Sequence, residues 1–236
     1  MRATTLVSTT AAVAATVSIV HLAAQLTDRD GLADVTQVML MPTVAGWLAA
    51  RTSGAPRPRI VRRFLLGLGF SWLGDTAPRF LDGDAGFLAM VGFFLVAQVV
   101  YASAFWPLRQ GSAAVRAPWS LLAYAAALAM IVALCAGEAG PLLPALLVYA
   151  GALVTTSVLA WGAGPVAGVG GVVFLASDAM IGLRAFAPSF DPPQEGFLIM
   201  STYIAAQVLL AHAVAQHAQP GRAGTRTPLP RARAAR

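Results

Sequence analysis

The stretch AGFLAMVGFFLVAQVVYASAFW, residues 85–106, decides the class of this protein. It is 22 residues long and contains no charged side chain. A helix needs about 20 apolar residues to cross the hydrocarbon core of a bilayer. The stretch therefore predicts a transmembrane helix.

The composition of the whole chain agrees with a membrane protein. Hydrophobic residues make up 58% of the 236 residues and charged residues only 11%, against roughly 25% charged in soluble domains. The mean hydropathy is +0.70. These values exclude an ordinary water-soluble enzyme and a disordered chain. The single cysteine, Cys135, lies in an apolar run, which excludes a disulfide scaffold and a cysteine-based zinc site.

Eight apolar runs of this kind predict an all-α fold, a polytopic bundle of eight transmembrane helices. The breaks between the runs carry Gly, Pro, Asp and Arg, as connections do. A glycine-rich segment, 162–171, is expected to let neighbouring helices approach closely. The runs are 4–26, 33–50, 61–80, 85–106, 118–136, 141–161, 165–183 and 196–217.

The arginines predict the orientation of the bundle. All sixteen basic residues are arginine. With eight spans and a cytoplasmic N-terminus, thirteen of them lie on the cytoplasmic side and only Arg29, Arg79 and Arg184 on the other. The positive-inside rule then places both termini in the cytoplasm. Clustering between apolar runs and in the tail also argues against a nucleic-acid-binding face.

The chain is predicted to divide into two parts. Residues 1–218 form the transmembrane domain, with the first helix retained rather than cleaved as a signal peptide. Residues 219–236 form a disordered, Arg/Pro-rich cytoplasmic tail. The expected location is the bacterial inner (cell) membrane.

Two carboxylates inside the apolar runs are the candidate catalytic residues, Asp75 and Asp178. A charged residue in a span costs about 2.5–3.5 kcal/mol on insertion scales, so such residues usually face a bundle interior. In the predicted topology both lie toward the non-cytoplasmic end at comparable depth, which predicts a shared polar cavity. The alternative is a structural role: Asp75 would pair with Arg79, and Asp178 would pair with Arg184 or cap a neighbouring backbone group.

Further polar residues are candidates for substrate binding. Pairs three or four residues apart share a helix face, and we expect them to orient water or substrate, with Gln98 and Tyr101 along a deeper acyl channel. The alternative is that they hold helices together. No metal-ligand spacing or nucleophile motif is present, so no metal or cofactor is expected. The candidates are Ser71, Gln98, Tyr101, Ser177, Tyr203 and Gln207.

Four segments, in order, resemble the motifs of the YhhN-like membrane proteins, the lysoplasmalogenase family. Residues 64–75, FLLGLGFSWLGD, resemble the third-helix FS-x-x-GD motif, and 86–101 resemble the fourth-helix segment that ends in Tyr101. The segment 175–178, LASD, followed by Phe186, resembles the seventh-helix SD motif, and 202–210, TYIAAQVLL, the last-helix motif.

Two positions depart from the pattern of the family. The family usually has Lys-Pro in the second helix, where this chain has Met41-Pro42, and a histidine where this chain has Gln98. These changes remove a cation and a titratable imidazole. They bear on headgroup recognition and rate more than on the fold.

The resemblance implies hydrolysis of the vinyl ether of a lysoplasmalogen, with a lysophospholipid as substrate and membrane lipid as surroundings. The two aspartates suit this chemistry, because it needs a proton donor and a carboxylate beside an oxocarbenium ion, as glycoside hydrolysis does. A lipid or small-solute transporter, and a hydrolase of another ether or amide lipid, remain the alternatives.

Overall fold

The computed structural model describes residues 2–53, 56–81 and 83–218. This part of the chain consists of α-helices, short 3-10 turns and connections, without a strand. The arginine-rich tail that we assigned to 219–236 lies outside the described residues. The α-helices are α1 (Arg2–Leu26), α2 (Asp30–Arg51), α3 (Arg59–Thr76), α4 (Gly83–Phe105), α5 (Ala113–Arg116), α6 (Ser120–Ala139), α7 (Leu143–Ala160), α8 (Pro165–Phe186) and α9 (Glu195–His217).

Six segments of the described chain are long and apolar enough to cross a membrane, which makes the protein an integral membrane protein. Large apolar side chains also face outward, for example Ile19, Leu122 and Val148, which are 67%, 74% and 60% exposed. A water-soluble protein would hide such side chains, whereas lipid tails cover them. The six segments are Thr4–Leu26, Asp30–Arg51, Ala85–Arg116, Ser120–Ala163, Pro165–Phe186 and Glu195–His217.

Eight α-helices in the described residues nevertheless have 18 residues or more. The segment Ser120–Ala163 contains two of them, α6 and α7, which turn back on each other. Tyr124 near the start of α6 and Ser157 near the end of α7 have their hydroxyl oxygens 3.0 Å apart. The turn lies at Gly140, whose φ of +46° suits glycine. The eighth long helix is α3. It is not one of the six segments and carries four charged residues.

The helices pack in an order that brings the two ends of the bundle together. Helices α1, α2, α3 and α4 each contact the next, α4 contacts α7, and α7, α8 and α9 follow. Helix α9 then packs against α1, α2 and α3, while α6 lies on the outside against α7 and α8. The main core therefore forms between α2, α3, α4, α8 and α9.

Small residues allow the closest helix contacts. A Cβ atom on Gly67 of α3 would lie 2.3 Å from the Tyr101 ring of α4, and one on Gly171 of α8 would lie 2.8 Å from the backbone of Ser157. Neither position has room for a side chain without movement of its neighbour. The predicted role of the 162–171 glycines in close helix approach is thus confirmed for Gly171.

The third helix is shorter than its apolar run. The run 61–80 predicted a helix to Phe80, but α3 ends at Thr76 and a 3-10 turn, Ala77–Phe80, follows. Pro78 explains the change, because proline restricts the residue before it and removes a backbone N–H. The turn carries Arg79 toward α2, where it pairs with Asp34.

Candidate active site

Asp75 of α3 and Asp178 of α8 line one cavity of about 560 Å³. Both side chains belong to buried residues, each 8% exposed. Within the described residues, neither forms an ion pair with an arginine: Arg79 pairs with Asp34, and Arg184 with Glu195. The alternative ion pairs of the two aspartates are therefore not formed.

Each carboxyl group accepts a hydrogen bond from a tyrosine, the buried Tyr203 or the partly buried Tyr149. The Tyr203 hydroxyl of α9 donates to Oδ2 of Asp75 at 2.8 Å. The Tyr149 hydroxyl of α7 donates to Oδ2 of Asp178. A neutral donor orients a carboxyl group without supplying the positive charge that would fix it in the ionised state.

The rest of the cavity wall consists of polar side chains that are more exposed than the two aspartates, here called the polar end, and of apolar side chains, here called the apolar side. The polar end contains Gln25, Gln37, Arg79 and Arg184. The apolar side offers contacts suited to a hydrocarbon chain and limits water around the carboxyl groups. It includes Phe87, Met90, Phe94, Ile181, Ile199 and Met200.

A second polar cluster lies outside the residues that line this cavity. Ser71, Tyr101 and Gln207 are fully buried and bonded to one another. Tyr101 lies 3.1 Å from the Ser71 hydroxyl and donates to Oε1 of Gln207 at 3.1 Å, while Nε2 of Gln207 donates to Ser71 at 3.3 Å. The cluster ties α3, α4 and α9 together, four residues from Asp75 on α3 and from Tyr203 on α9.

Two further candidates also lie away from the cavity wall. Ser177 donates to the backbone carbonyl of Ile199 at 3.0 Å and so joins α8 to α9. Gln98 is fully buried beside Tyr149, the donor to Asp178, and among the described residues its amide forms no hydrogen bond of normal geometry. Of the predicted binding residues, only Tyr203 lines the cavity. Gln98 and Tyr101, which we expected along a deeper acyl channel, do not line this cavity.

Sequence reasoning missed Tyr149, the hydrogen-bond donor to Asp178. The chain has only four tyrosines, and this one lies within the apolar first half of the run 141–161. A hydroxyl inside a span needs a hydrogen-bond partner, and that requirement was the available signal. The sequence did not predict that this partner is Asp178, because no fixed sequence spacing relates residues of α7 to residues of α8.

The arrangement supplies two carboxyl groups, two tyrosine hydroxyls and a half-apolar cavity. Among the described residues, no group of three or more His, Cys, Asp or Glu side chains is placed to hold a metal ion. The chemistry that these groups can perform is proton transfer by one carboxyl group and charge stabilisation by the other.

The comparisons with known proteins identify the family. The model of the YhhN family matches residues 32–214, which include α3 to α8, most of α2 and α9, and all four residues of the carboxyl–tyrosine pairs. Comparisons with the curated proteins and with the solved structures gave no match. The chain belongs to the YhhN family.

Proposed function

We propose that this member of the YhhN family is a membrane-embedded hydrolase that cleaves the vinyl ether bond of lysoplasmalogen-type lysophospholipids. The products are a fatty aldehyde and a glycerophospho-alcohol. The observation that carries the proposal is the pair Asp75 and Asp178, two buried carboxyl groups in one cavity. Neither has an arginine partner among the described residues. In such pairs one group keeps its proton while the other is ionised.

In the first step the protonated aspartate transfers its proton to the outer carbon of the vinyl ether double bond. The electron pair of that double bond forms the new C–H bond. The carbon attached to oxygen becomes an oxocarbenium ion, and the ionised aspartate stabilises its positive charge.

In the second step a water molecule adds to the oxocarbenium carbon and gives up a proton to a carboxylate of the pair. The hemiacetal then collapses: its C–O bond to glycerol breaks as the glycerol oxygen takes the proton of the protonated aspartate, and the hemiacetal hydroxyl gives its proton to the other carboxylate as the aldehyde C=O bond forms. One water is consumed, and the aspartates return to their starting protonation.

The tyrosines position this pair. Tyr203 and Tyr149 each bond Oδ2 of their aspartate, and the Gln37 side chain also lies beside Asp75. In this mechanism the carboxyl oxygen that is not bonded to tyrosine holds the proton or meets the water and the substrate. The buried cluster Ser71, Tyr101 and Gln207 fixes the helices that carry Asp75 and Tyr203. Its role in this mechanism is to hold the site rather than to touch the lipid.

We further propose that eight helices span the bacterial cell membrane with both termini in the cytoplasm. Two features support this number: the reversal of the chain at Gly140, and the length of α3, which is 18 residues. In this topology the cavity lies toward the non-cytoplasmic side, together with Arg29, Arg79 and Arg184. The remaining arginines lie on the cytoplasmic side.

The test is product analysis with purified protein in detergent. A lysoplasmalogen, its saturated alkyl-ether counterpart and an acyl lysophospholipid are each incubated with the protein, and aldehyde, alcohol and fatty acid are quantified. We expect aldehyde from the lysoplasmalogen alone, because a saturated ether has no double bond to protonate. Fatty acid release from the acyl lipid would contradict the proposed reaction.

The same protein in proteoliposomes distinguishes a transporter. Movement of the intact lysolipid across the bilayer without aldehyde release would favour transport and overturn the hydrolase proposal. Aldehyde formation in detergent, where there is no second compartment, excludes transport as an explanation of turnover.

A further inference from the structure

The polar end of the cavity contains two guanidinium groups. Arg79 and Arg184 line the same cavity as Asp75 and Asp178. The side chain of Arg184 is 61% exposed, so this end opens to the surroundings while the carboxyl groups lie deeper.

Arg79 has unused capacity to donate hydrogen bonds. One terminal nitrogen donates to Asp34 and the other to Oε1 of Gln37 at 2.8 Å. Its Nε is buried and has no hydrogen-bond partner among the described residues. Asp34 is 63% exposed, and an ion pair this exposed contributes little and is readily replaced.

Arg184 uses fewer of its hydrogen-bond donors than Arg79 does. Its Nε lies 3.7 Å from Oε2 of Glu195, which is beyond hydrogen-bond distance. In the part of the chain that the structure describes, its terminal nitrogens form no hydrogen bond. A guanidinium group has five N–H donors, and most of those of Arg184 are free for an anion.

The separation between each aspartate and the arginine that follows it indicates what size of ligand fits between them. Arg184 follows Asp178 by six residues on α8, about 9 Å along the axis at the usual rise of an α-helix. Arg79 follows Asp75 by four residues, about 7 Å along the chain, because three of these steps belong to the 3-10 turn with its larger rise. These are offsets of the backbone, and the long arginine side chains adjust over several ångströms. One glycerol unit is then long enough to join an ether oxygen at the carboxyl groups to an anionic substituent at the arginines.

The ligand chemistry follows from these positions. Guanidinium groups bind phosphate through two parallel hydrogen bonds and hold it by charge as well. The aliphatic chain then extends along the apolar wall that includes Met90 and Phe94.

We propose that Arg79 and Arg184 form a phosphate subsite at the mouth of the cavity and make the protein select phosphorylated glycerol ethers over phosphate-free ones. This inference rests on the proposed function for the identity of the lipid. It adds the residues that recognise the anionic group and the discrimination that they produce.

Binding of a lipid that is not cleaved tests the subsite apart from catalysis. The probes are a saturated 1-O-alkyl lysophospholipid, the 1-O-alkylglycerol with the same chain, and glycerol 3-phosphate without a chain. We expect Arg184→Gln to weaken binding of the lysophospholipid about tenfold, since charge-assisted hydrogen bonds are lost. Binding of the alkylglycerol is expected to stay within about twofold of the wild type on the same scale.

Arg79→Gln is expected to act in the same direction, and the double variant to weaken binding further. Arg109→Gln is the matched control, because Arg109 lies over the Trp106 ring, away from this cavity. Thermal stability is measured for every variant, since Arg79 also contacts α2. Arg184, being largely exposed, keeps the test valid should Arg79→Gln unfold the protein.

Equal loss of affinity for the two lipids, or no loss for either, would overturn the subsite. Glycerol 3-phosphate separates the sources of phosphate: competition at the affinity of the lipid would overturn selection of a lipid and leave a free phosphate site. Failure of the proposed function has a different signature, because it removes aldehyde release from the lysoplasmalogen while leaving this binding pattern intact.

Discussion

At the scale of single residues, the partner of each aspartate determines what it can do. An arginine beside Asp75 or Asp178 would hold the carboxylate ionised and make each a structural ion pair. Tyrosine instead orients the carboxyl group and leaves both protonation states accessible. The pairs Asp75–Tyr203 and Asp178–Tyr149 are therefore the feature of this site that most favours proton transfer.

Removal of a tyrosine hydroxyl tests this account of positioning. We expect Tyr149→Phe to lower the rate of aldehyde release about tenfold or more. A hydrogen bond to a charged partner contributes about 1.5–3 kcal/mol, and each 1.36 kcal/mol is a factor of ten in rate. Tyr124→Phe is the matched control, because that hydroxyl bonds Ser157 and Trp161 rather than an aspartate. Equal rates for the two variants would contradict the positioning role.

The sequence indicated the two aspartates as candidate catalytic residues, because ionisable residues in apolar runs are rare and need an interior environment. It did not identify their partners. The i+4 spacing offered Arg79 as an alternative, structural partner of Asp75, whereas the end of α3 before Pro78 turns that arginine toward Asp34. Residues on helices that are distant in the chain contact each other without a fixed sequence spacing, so the sequence alone does not predict which residues are partners.

At the scale of the helix, α3 depends on small residues on the face that meets α4. The Tyr101 ring occupies the space that a side chain at Gly67 would need. The same ring belongs to the hydrogen-bonded cluster with Ser71 and Gln207. Close packing and the polar cluster therefore support one another.

A pair of glycine variants on α3 tests this packing. Gly67→Ala is expected to lower stability by about 1–3 kcal/mol, the usual cost of overpacking, seen as a lower melting temperature in detergent. Gly69→Ala is expected to be neutral or slightly stabilising, because its Cβ meets nothing within 4 Å and alanine favours the helix. Similar melting temperatures for both variants would contradict the close contact.

The number and order of the long helices were predictable from length and hydropathy, but their ends were not. The break between α6 and α7, predicted between residues 136 and 141, lies at Gly140, but α6 continues to Ala139 and α7 begins only at Leu143. The apolar run 61–80 continues past Thr76, where α3 ends, and so does not indicate the end of the helix. Glycine and proline residues determine where these helices end, and hydropathy averaged over a window of residues does not show such positions.

At the scale of the whole molecule, the topology decides which side of the membrane the cavity faces. Eight spans put the cytoplasmic arginines at one end and the cavity with Arg79 and Arg184 at the other. Seven spans would move the tail arginines, 222–236, to the non-cytoplasmic side against the positive-inside rule.

Reporter fusions test the topology. A fusion at Arg236 is expected to be active only as a cytoplasmic reporter, and a fusion after Asp191, between α8 and α9, only as a non-cytoplasmic one. A non-cytoplasmic signal from the C-terminal fusion would show an odd number of spans, or an N-terminus on the other side.

The most direct measurement for the two-carboxyl mechanism is aldehyde release from a lysoplasmalogen by the wild type, Asp75→Asn, Asp178→Asn and the double variant. Asparagine keeps the shape but neither donates a carboxylic proton nor carries charge. Each single variant is expected to lose at least about 10²-fold in rate, with the double little worse than the worse single. Asp191→Asn, in an exposed loop, is expected to retain the wild-type rate. All variants are expected to keep the wild-type melting temperature; near-normal turnover by the two asparagine variants of Asp75 and Asp178 would contradict the mechanism.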